Sequence, residues 1–270
     1  LSCVDAVGQR HAPARGEVRI VSLVPSITEL VCELGLAERL VGRTGFCVHP
    51  RERLKRVPKL GGTKDVDLER LRGLAPTHVI VNVDENRRET VDEIARFAQH
   101  IIVTHPLGPL DNPPLYRLIG GVFGREAAAD ELCRRFEQAY AACARAGAGL
   151  APQRVLYLIW RKPWMTVSRD TYISRTLALV NWSTVPETAA DRYPEIALDE
   201  ATLAGADVVL ASTEPFPFRA RDVERLAALP ELRGRAVALI DAEMTSWYGP
   251  RAIAGLEYLP RFRQALAPAG

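Results

Sequence analysis

None of the five cysteines, Cys3, Cys32, Cys47, Cys133 and Cys143, forms a Cys-x-x-Cys pair. Their odd number and uneven spacing argue against a disulfide framework, and with it against an oxidising compartment, because small scaffolds of that kind use more cysteine in a shorter chain. Cys32, Cys133 and Cys143 fall on apolar helical positions, where small buried thiols belong. No apolar run approaches the roughly 20 residues that a membrane-spanning helix needs. Neither sign of charge dominates: the net charge is +2, the arginines are scattered, and no basic segment rich in aromatics offers a stacking platform. A nucleic-acid partner is therefore not indicated. GxSxG, HExxH and GxGxxG are all missing, so the chain lacks a nucleophile elbow, a zinc-protease helix and a dinucleotide loop. Gly61-Gly62-Thr63-Lys64 is not a phosphate loop either, because the order after the glycines is reversed. It reads as a turn that directs Lys64 toward a pocket.

What is present is a strand–helix alternation. With 270 residues, 47% of them hydrophobic, the chain can bury a large core in one domain or two lobes. Arg19 to Val24 is an apolar strand ended by Pro25, after which Ser26 and Glu29 form a capping-box pattern for a helix that stops at Gly35. Leu40 to Thr44, Val79 to Val81 and Ile101 to Val103 read as further buried strands, with a helix over Glu89 to Gln99. After Pro113 the period becomes helical. Gly120, Gly121 and Gly124 interrupt it, and an unbroken helix then runs from Arg125 to Arg145, closed by Gly147-Ala148-Gly149. Arg154 to Trp160, Val208 to Ala211 and Val237 to Asp241 resume the alternation, and a last helix spans Arg251 to Leu266. The expected fold is α/β: two lobes, each a mainly parallel sheet flanked by helices, joined by one long backbone helix. The expected divisions are a disordered leader (1–17), an N-terminal lobe (18–111), a connecting helix (112–149) and a C-terminal lobe (150–270). A leader of this composition suits an export product or a trimmed chain.

One plan occurs twice. Asp65 to Leu71 runs through Leu74 and Pro76 into Val79-Ile80-Val81, and Ile196 to Glu200 with Leu203 runs into Val208-Val209-Leu210. In each, an acidic residue opens a short helix ahead of a buried strand. A first-turn carboxylate is explained by the helix dipole alone; the matched placement of Glu69 and Glu200 gives the pair a second meaning.

Ligands meet an open α/β sheet at the C-terminal ends of its strands. Four loops arrive there with unusual side chains: Gly45 to Pro50 with Phe46, Cys47 and His49; Gly61 to Asp65 with Thr63 and Lys64; Trp160 to Trp164; and Asp241 to Pro250 with Glu243, Trp247 and Tyr248. Three of the four tryptophans lie in them. Clustered loop aromatics favour a flat, largely apolar ligand with a few polar anchors, or else ordinary packing between lobes. Cys47 and His49 offer metal-ligating atoms, but two ligands do not make a site. Direct ligation, axial capping of a metal chelate by His49, and plain packing all stay open.

Taken together, several segments resemble the class III substrate-binding proteins of ABC importers, the helical-backbone receptors for cobalamin, haem and ferric siderophores. They are Arg19 to Ser26 with Thr28-Glu29-Leu30, Leu40-Val41-Gly42, Asp67-Leu68-Glu69 leading to Leu74-Ala75-Pro76, the glycine break from Leu118 to Gly124 with Ala127 and Ala128, and Pro250-Arg251. The likeness covers about residues 18 to 266 and is greatest to the vitamin B12-binding branch. It implies a non-catalytic, monomeric receptor, periplasmic or tethered to the outer face of the inner membrane, with no resident cofactor. Such a receptor captures a metal-containing chelate in an inter-lobe cleft and delivers it to a permease dimer. The resemblance places Phe46, Trp160, Glu243 and Trp247 around the ligand and docks Glu69 and Glu200 on permease arginines. The ligand it implies first is a corrinoid, vitamin B12, with a ferric siderophore or haem as the alternative, because two features depart from the cobalamin pattern: Thr63 or Lys64 stands where an aromatic is expected, and Phe46-Cys47-Val48-His49 replaces a tyrosine-rich loop. A different class of reading is an intracellular enzyme or chaperone for a corrinoid or metal chelate that uses Cys47, His49 and Lys64 chemically.

Overall fold

The computed structural model describes residues 3–266, so the expectations for Leu1, Ser2 and residues 267–270 lie outside the described residues. The chain divides into two compact units. The first takes residues up to Pro106, Leu110–Phe136 and Tyr248–Pro250; the second takes Leu107–Pro109, Glu137–Trp247 and the chain from Arg251 onward.

In the first unit, β1 (Ile20–Ser22), α1 (Pro25–Glu33), β2 (Leu40–Arg43), α2 (Arg51–Leu54), α3 (Leu68–Gly73), β3 (His78–Asn82), α4 (Arg88–Ile94), β4 (His100–Thr104) and α5 (Asn112–Val122) follow in order. The four strands form one parallel sheet in the order β2-β1-β3-β4. Helices cover it, which is why its strands read as continuous apolar runs rather than as an alternation. Val21, Leu23, Val79 and Val81 pack with Leu60, Leu71 and Ile94 in one buried cluster. Helix α1 starts two residues earlier than the capping-box pattern implied. Pro25 occupies the first turn, Val24 is the N-cap without a side-chain bond, and Ser26 is buried inside the helix. Proline's fixed φ and missing N–H suit the first helical position and outcompete a serine cap.

Part of the expected disordered leader is ordered. Val4 bridges Arg10, Ala6 N donates to Val103 O at 2.9 Å, and Ala14 N donates to Val122 O at 2.7 Å. Asp5 organises the segment, accepting from the backbone N–H of Val7, Gln9 and Val103 and from His11.

The stretch 112–149, expected as a connecting segment with a glycine break, is two helices, and the break falls between Val122 and Glu126. Helix α5 belongs to the first unit, and its Gly120-Gly121 pair lies inside the helix instead of breaking it. A Cβ on Gly120 would lie 2.5 Å from Ala129 Cβ, so glycine is what lets α5 approach the next helix so closely. That helix, α6 (Glu126–Ala148), is 23 residues long, about 35 Å at 1.5 Å per residue. It continues through Gly147, where it was expected to end.

The second unit contains β5 (Gln153–Leu158), β6 (Trp164–Met165), α7 (Tyr172–Leu177), β7 (Trp182–Thr184), β8 (Glu195–Ile196), α8 (Glu200–Ala204), β9 (Val208–Ser212), α9 (Ala220–Ala227), β10 (Ala236–Ile240), α10 (Ala242–Ser246) and α11 (Arg251–Ala265). Its sheet is also parallel, ordered β10-β9-β5-β7, and a separate antiparallel ribbon pairs β6 with β8. Leu156, Leu158, Leu203, Val209 and Phe218 form its core. Strand β7, the ribbon and α7 were not anticipated.

Candidate functional site

In the first unit the loops after β2 and before α3 are stitched together at the C-terminal end of the sheet. Gly45 N donates to Gly61 O at 2.7 Å, and Gly62 N to Asp65 O at 3.0 Å. Gly61 has φ +88°, and a Cβ there would sit 2.2 Å from Asp65 O, so the tight turn requires glycine. Phe46 rests over Gly62 and is 63% exposed, with Val48 also exposed beside it in sequence. His49 is half-buried, as is Thr63. Lys64 is exposed, its Nζ donating to Asp84 O at 2.8 Å. Tyr248 is buried, and its hydroxyl donates to Glu85 Oε1 at 2.8 Å. Burial, and next the Glu85 charge, push its pKa well above the ordinary tyrosine value.

Cys47 does not share this exposed surface. Its side chain is wholly buried, with Sγ 3.0 Å from Thr28 Oγ1 and 3.2 Å from Thr44 Oγ1. The Arg43 guanidinium draws the loop inward by donating to Cys47 O at 2.9 Å and Leu54 O at 3.2 Å. Burial raises the thiol pKa despite the lowering bonds from the two threonines. A protonated, enclosed thiol is neither a nucleophile nor a metal ligand. Among the described residues no three His, Cys, Asp or Glu side chains converge to hold a metal ion.

In the second unit the loops after β5 and β9 meet. Phe216 N donates to Ile159 O at 3.2 Å, and Ser212 Oγ donates to Leu158 O at 2.9 Å. The result is an aromatic ladder. Trp160 meets Phe216 edge-on with centroids 5.7 Å apart, Phe216 tilts against Phe218 at 4.7 Å, and Phe218 stacks on Trp164 at 6.2 Å with planes 5° apart. Trp160, 38% exposed, is the ladder's outer end, while Trp164 is packed against the core. Phe216 and Phe218 escaped the sequence reading. The alternation Pro215-Phe216-Pro217-Phe218 was the available signal, since prolines stiffen a loop around the rings between them.

Glu243 and Trp247 form a second group in this unit. Arg251 pairs with Glu243 at 2.9 Å and lies 5.2 Å from the centre of the Trp247 ring. The indole Nε1 donates to Glu214 Oε2 at 3.1 Å, and Trp247 is 8% exposed. Trp247 is thus an anchor of the site's framework more than an open face.

The repeated plan survives at atomic detail. Asp67 caps α3 by accepting from Arg70 N at 3.0 Å, and Asp199 caps α8 by accepting from Thr202 N at 2.9 Å. Four residues after each cap, Leu71 and Leu203 are buried at 0% and 1%. Glu69 and Glu200 are both exposed first-turn residues. They are not equivalent, however: Glu69 is the second residue after its cap and Glu200 the first, a difference of about 100° around a helix.

A family model described as periplasmic binding protein matches residues 20–238. A curated relative, the uncharacterized ABC transporter substrate-binding lipoprotein YvrC of Bacillus subtilis (strain 168), is 24% identical over 267 residues, covering 94% of this chain and 82% of its own. The periplasmic vitamin B12 binding protein BtuF of Vibrio cholerae superimposes with a TM-score of 0.80 at 17% identity, over 93% of this chain and 98% of that one. The periplasmic heme-binding protein RhuT from Roseiflexus sp. RS-1, in apo form, gives 0.78 at 24% identity, over 93% and 100%. Two parallel-sheet units with loops gathered at the strand ends, and a family match over most of the chain, lead to one assignment: this chain belongs to the periplasmic binding protein family, the non-enzymatic substrate-binding proteins of ABC importers.

Proposed function

We propose that this receptor captures a metal-containing chelate, a corrinoid before other cargoes, and delivers it to a two-subunit permease outside the cytoplasm. The observation that carries the choice of ligand is the ladder from Trp160 through Phe216 and Phe218 to Trp164. Aromatic rings at a site's edge contribute large, rigid apolar area, which suits a flat macrocycle better than a sugar, an amino acid or a bare ion. Exposed Phe46 is the corresponding apolar element of the first unit. The B12-binding and haem-binding proteins among the relatives support cargo of this chemistry. Glu69 and Glu200 are the proposed permease contacts, since both are exposed on the opening turn of a short capped helix.

Haem or a ferric siderophore is the second reading, favoured by the cation-lined pocket beside Phe216. A thermal-shift series with cobalamin, cobinamide, haem, ferric citrate and divalent metals decides among them. A ligand at 100 times its dissociation constant stabilises by about 2.7 kcal/mol. Stabilisation by a chelate but not by bare ions is expected; no response to any chelate would end the proposal.

A further inference from the structure

A pocket of about 340 Å³ in the second unit is lined by Arg161, Lys162, Phe216, Pro217, Arg219, Arg221, Asp222 and Arg225. Five of these side chains are cationic and one is acidic. The single carboxylate is already used: Asp222 is 6% exposed, Oδ1 accepts from Arg161 Nη1 at 2.9 Å and Oδ2 from the Arg219 backbone N at 3.0 Å. Among the described residues no acidic side chain pairs with Lys162, Arg219, Arg221 or Arg225. Gathering such charges around one concavity costs free energy through mutual repulsion, and a bound anion relieves it.

Phe216 belongs to both this pocket and the aromatic ladder, since the same ring lines the pocket and meets Trp160 edge-on. One ligand can therefore lay an apolar face on Trp160 and place an acidic edge among the arginines. Guanidinium groups suit that edge because their planar donors match carboxylate and phosphate oxygens two at a time. Resting on the proposed receptor function, we infer that the cargo is an acidic chelate, a flat body carrying carboxylate or phosphate groups at its periphery, and that Arg219 and Arg221 select it through those groups.

The test compares the full chain with the Arg219→Ser/Arg221→Ser double variant, whose exposed side chains can be changed without touching the core. Calorimetry at low salt would use two ligand pairs: haem against its dimethyl ester, and cobalamin against cobinamide. The first pair differs only in free carboxylates, and the second in the phosphate-bearing nucleotide loop, so in the second pair only a preference that the double variant erases counts for the arginines. Within at least one pair the acidic member should bind about tenfold or more tightly, and the double variant should erase that preference. Equal binding within both pairs, unchanged in the variant, overturns the inference while leaving the receptor function intact. If no chelate binds at all, the receptor reading fails, and citrate and inorganic pyrophosphate then test the pocket alone. Saturable binding of either anion that the variant loses supports an anion site; none overturns it.

Discussion

Trp247 Nε1 donates to Glu214 Oε2 at 3.1 Å, so the tryptophan that ends α10 is bonded to the loop that follows β9. Its ring is also covered by Arg251. Trp160, by contrast, ends its ladder in solvent. Two tryptophans expected together at the ligand thus have different surroundings, one packed and one open.

Their alanine variants should differ accordingly. Trp160→Ala is expected to weaken chelate binding by about 1 to 3 kcal/mol with little change in folding. Trp247→Ala removes a packed ring and leaves a carboxylate without its indole, so a loss of about 3 to 5 kcal/mol of stability is expected. Urea denaturation alongside calorimetry separates the two. Equal stability losses would show that Trp160 is packed as Trp247 is.

Stability should fall in mild acid because of one histidine. His78 is 5% exposed and stacked on His100, and its pKa is lowered to about 4, first by burial and then by the His100 and His11 charges. Between the usual value of 6.5 and about 4 the unfolded chain binds a proton that the folded chain does not. The contribution is complete above pH 6.5 and is lost as pH falls toward 4, with a slope of up to about 1.4 kcal/mol per pH unit. His78→Gln should flatten the slope in denaturant titrations from pH 7.5 to 4.5. An unchanged slope would move its cause to other groups.

The alkaline side has the opposite sign. Burial raises Cys32 and Cys143 to about 11 and lifts Tyr157 and Tyr248 above their ordinary values. The folded chain keeps these protons after the unfolded chain has released them, so stability is complete below about pH 9 and declines as pH rises. Cys32→Ala/Cys143→Ala should reduce the decline between pH 9 and 11, and Tyr157→Phe should reduce it only above pH 10. Denaturant midpoints measured across that range provide the check.

The central strands were legible because both faces of each sheet are covered, which turns Ile20 to Leu23, Val79 to Val81 and Val208 to Ala211 into unbroken apolar runs. Trp182–Thr184 and the Trp164–Ile196 ribbon were not, since two or three residues carry no period. The N-terminal segment looked disordered because its order comes from backbone hydrogen bonds and one polar side chain, Asp5, rather than from a periodic apolar face. Of the residues expected around the ligand, loop position singled out Trp160 and the resemblance Phe46, and both are exposed. A strand-end loop and a metal-ligating atom put Cys47 in the expected ligand set, whereas Arg43 and two threonines hold it inside. The paired acidic helix starts were readable from order alone; the one-position offset between Glu69 and Glu200 needed the caps.

The most direct test of a receptor that delivers cargo is the double variant Glu69→Ala/Glu200→Ala, loaded with the chelate found by thermal shift and presented to its permease in lipid nanodiscs. Chelate affinity and folding should match the parent, while permease binding should drop by at least about tenfold, as expected when charged contacts are truncated at an interface. Undiminished permease binding would contradict the assignment and return both carboxylates to the role of helix-start charges, and lost chelate affinity would place them in the ligand site instead.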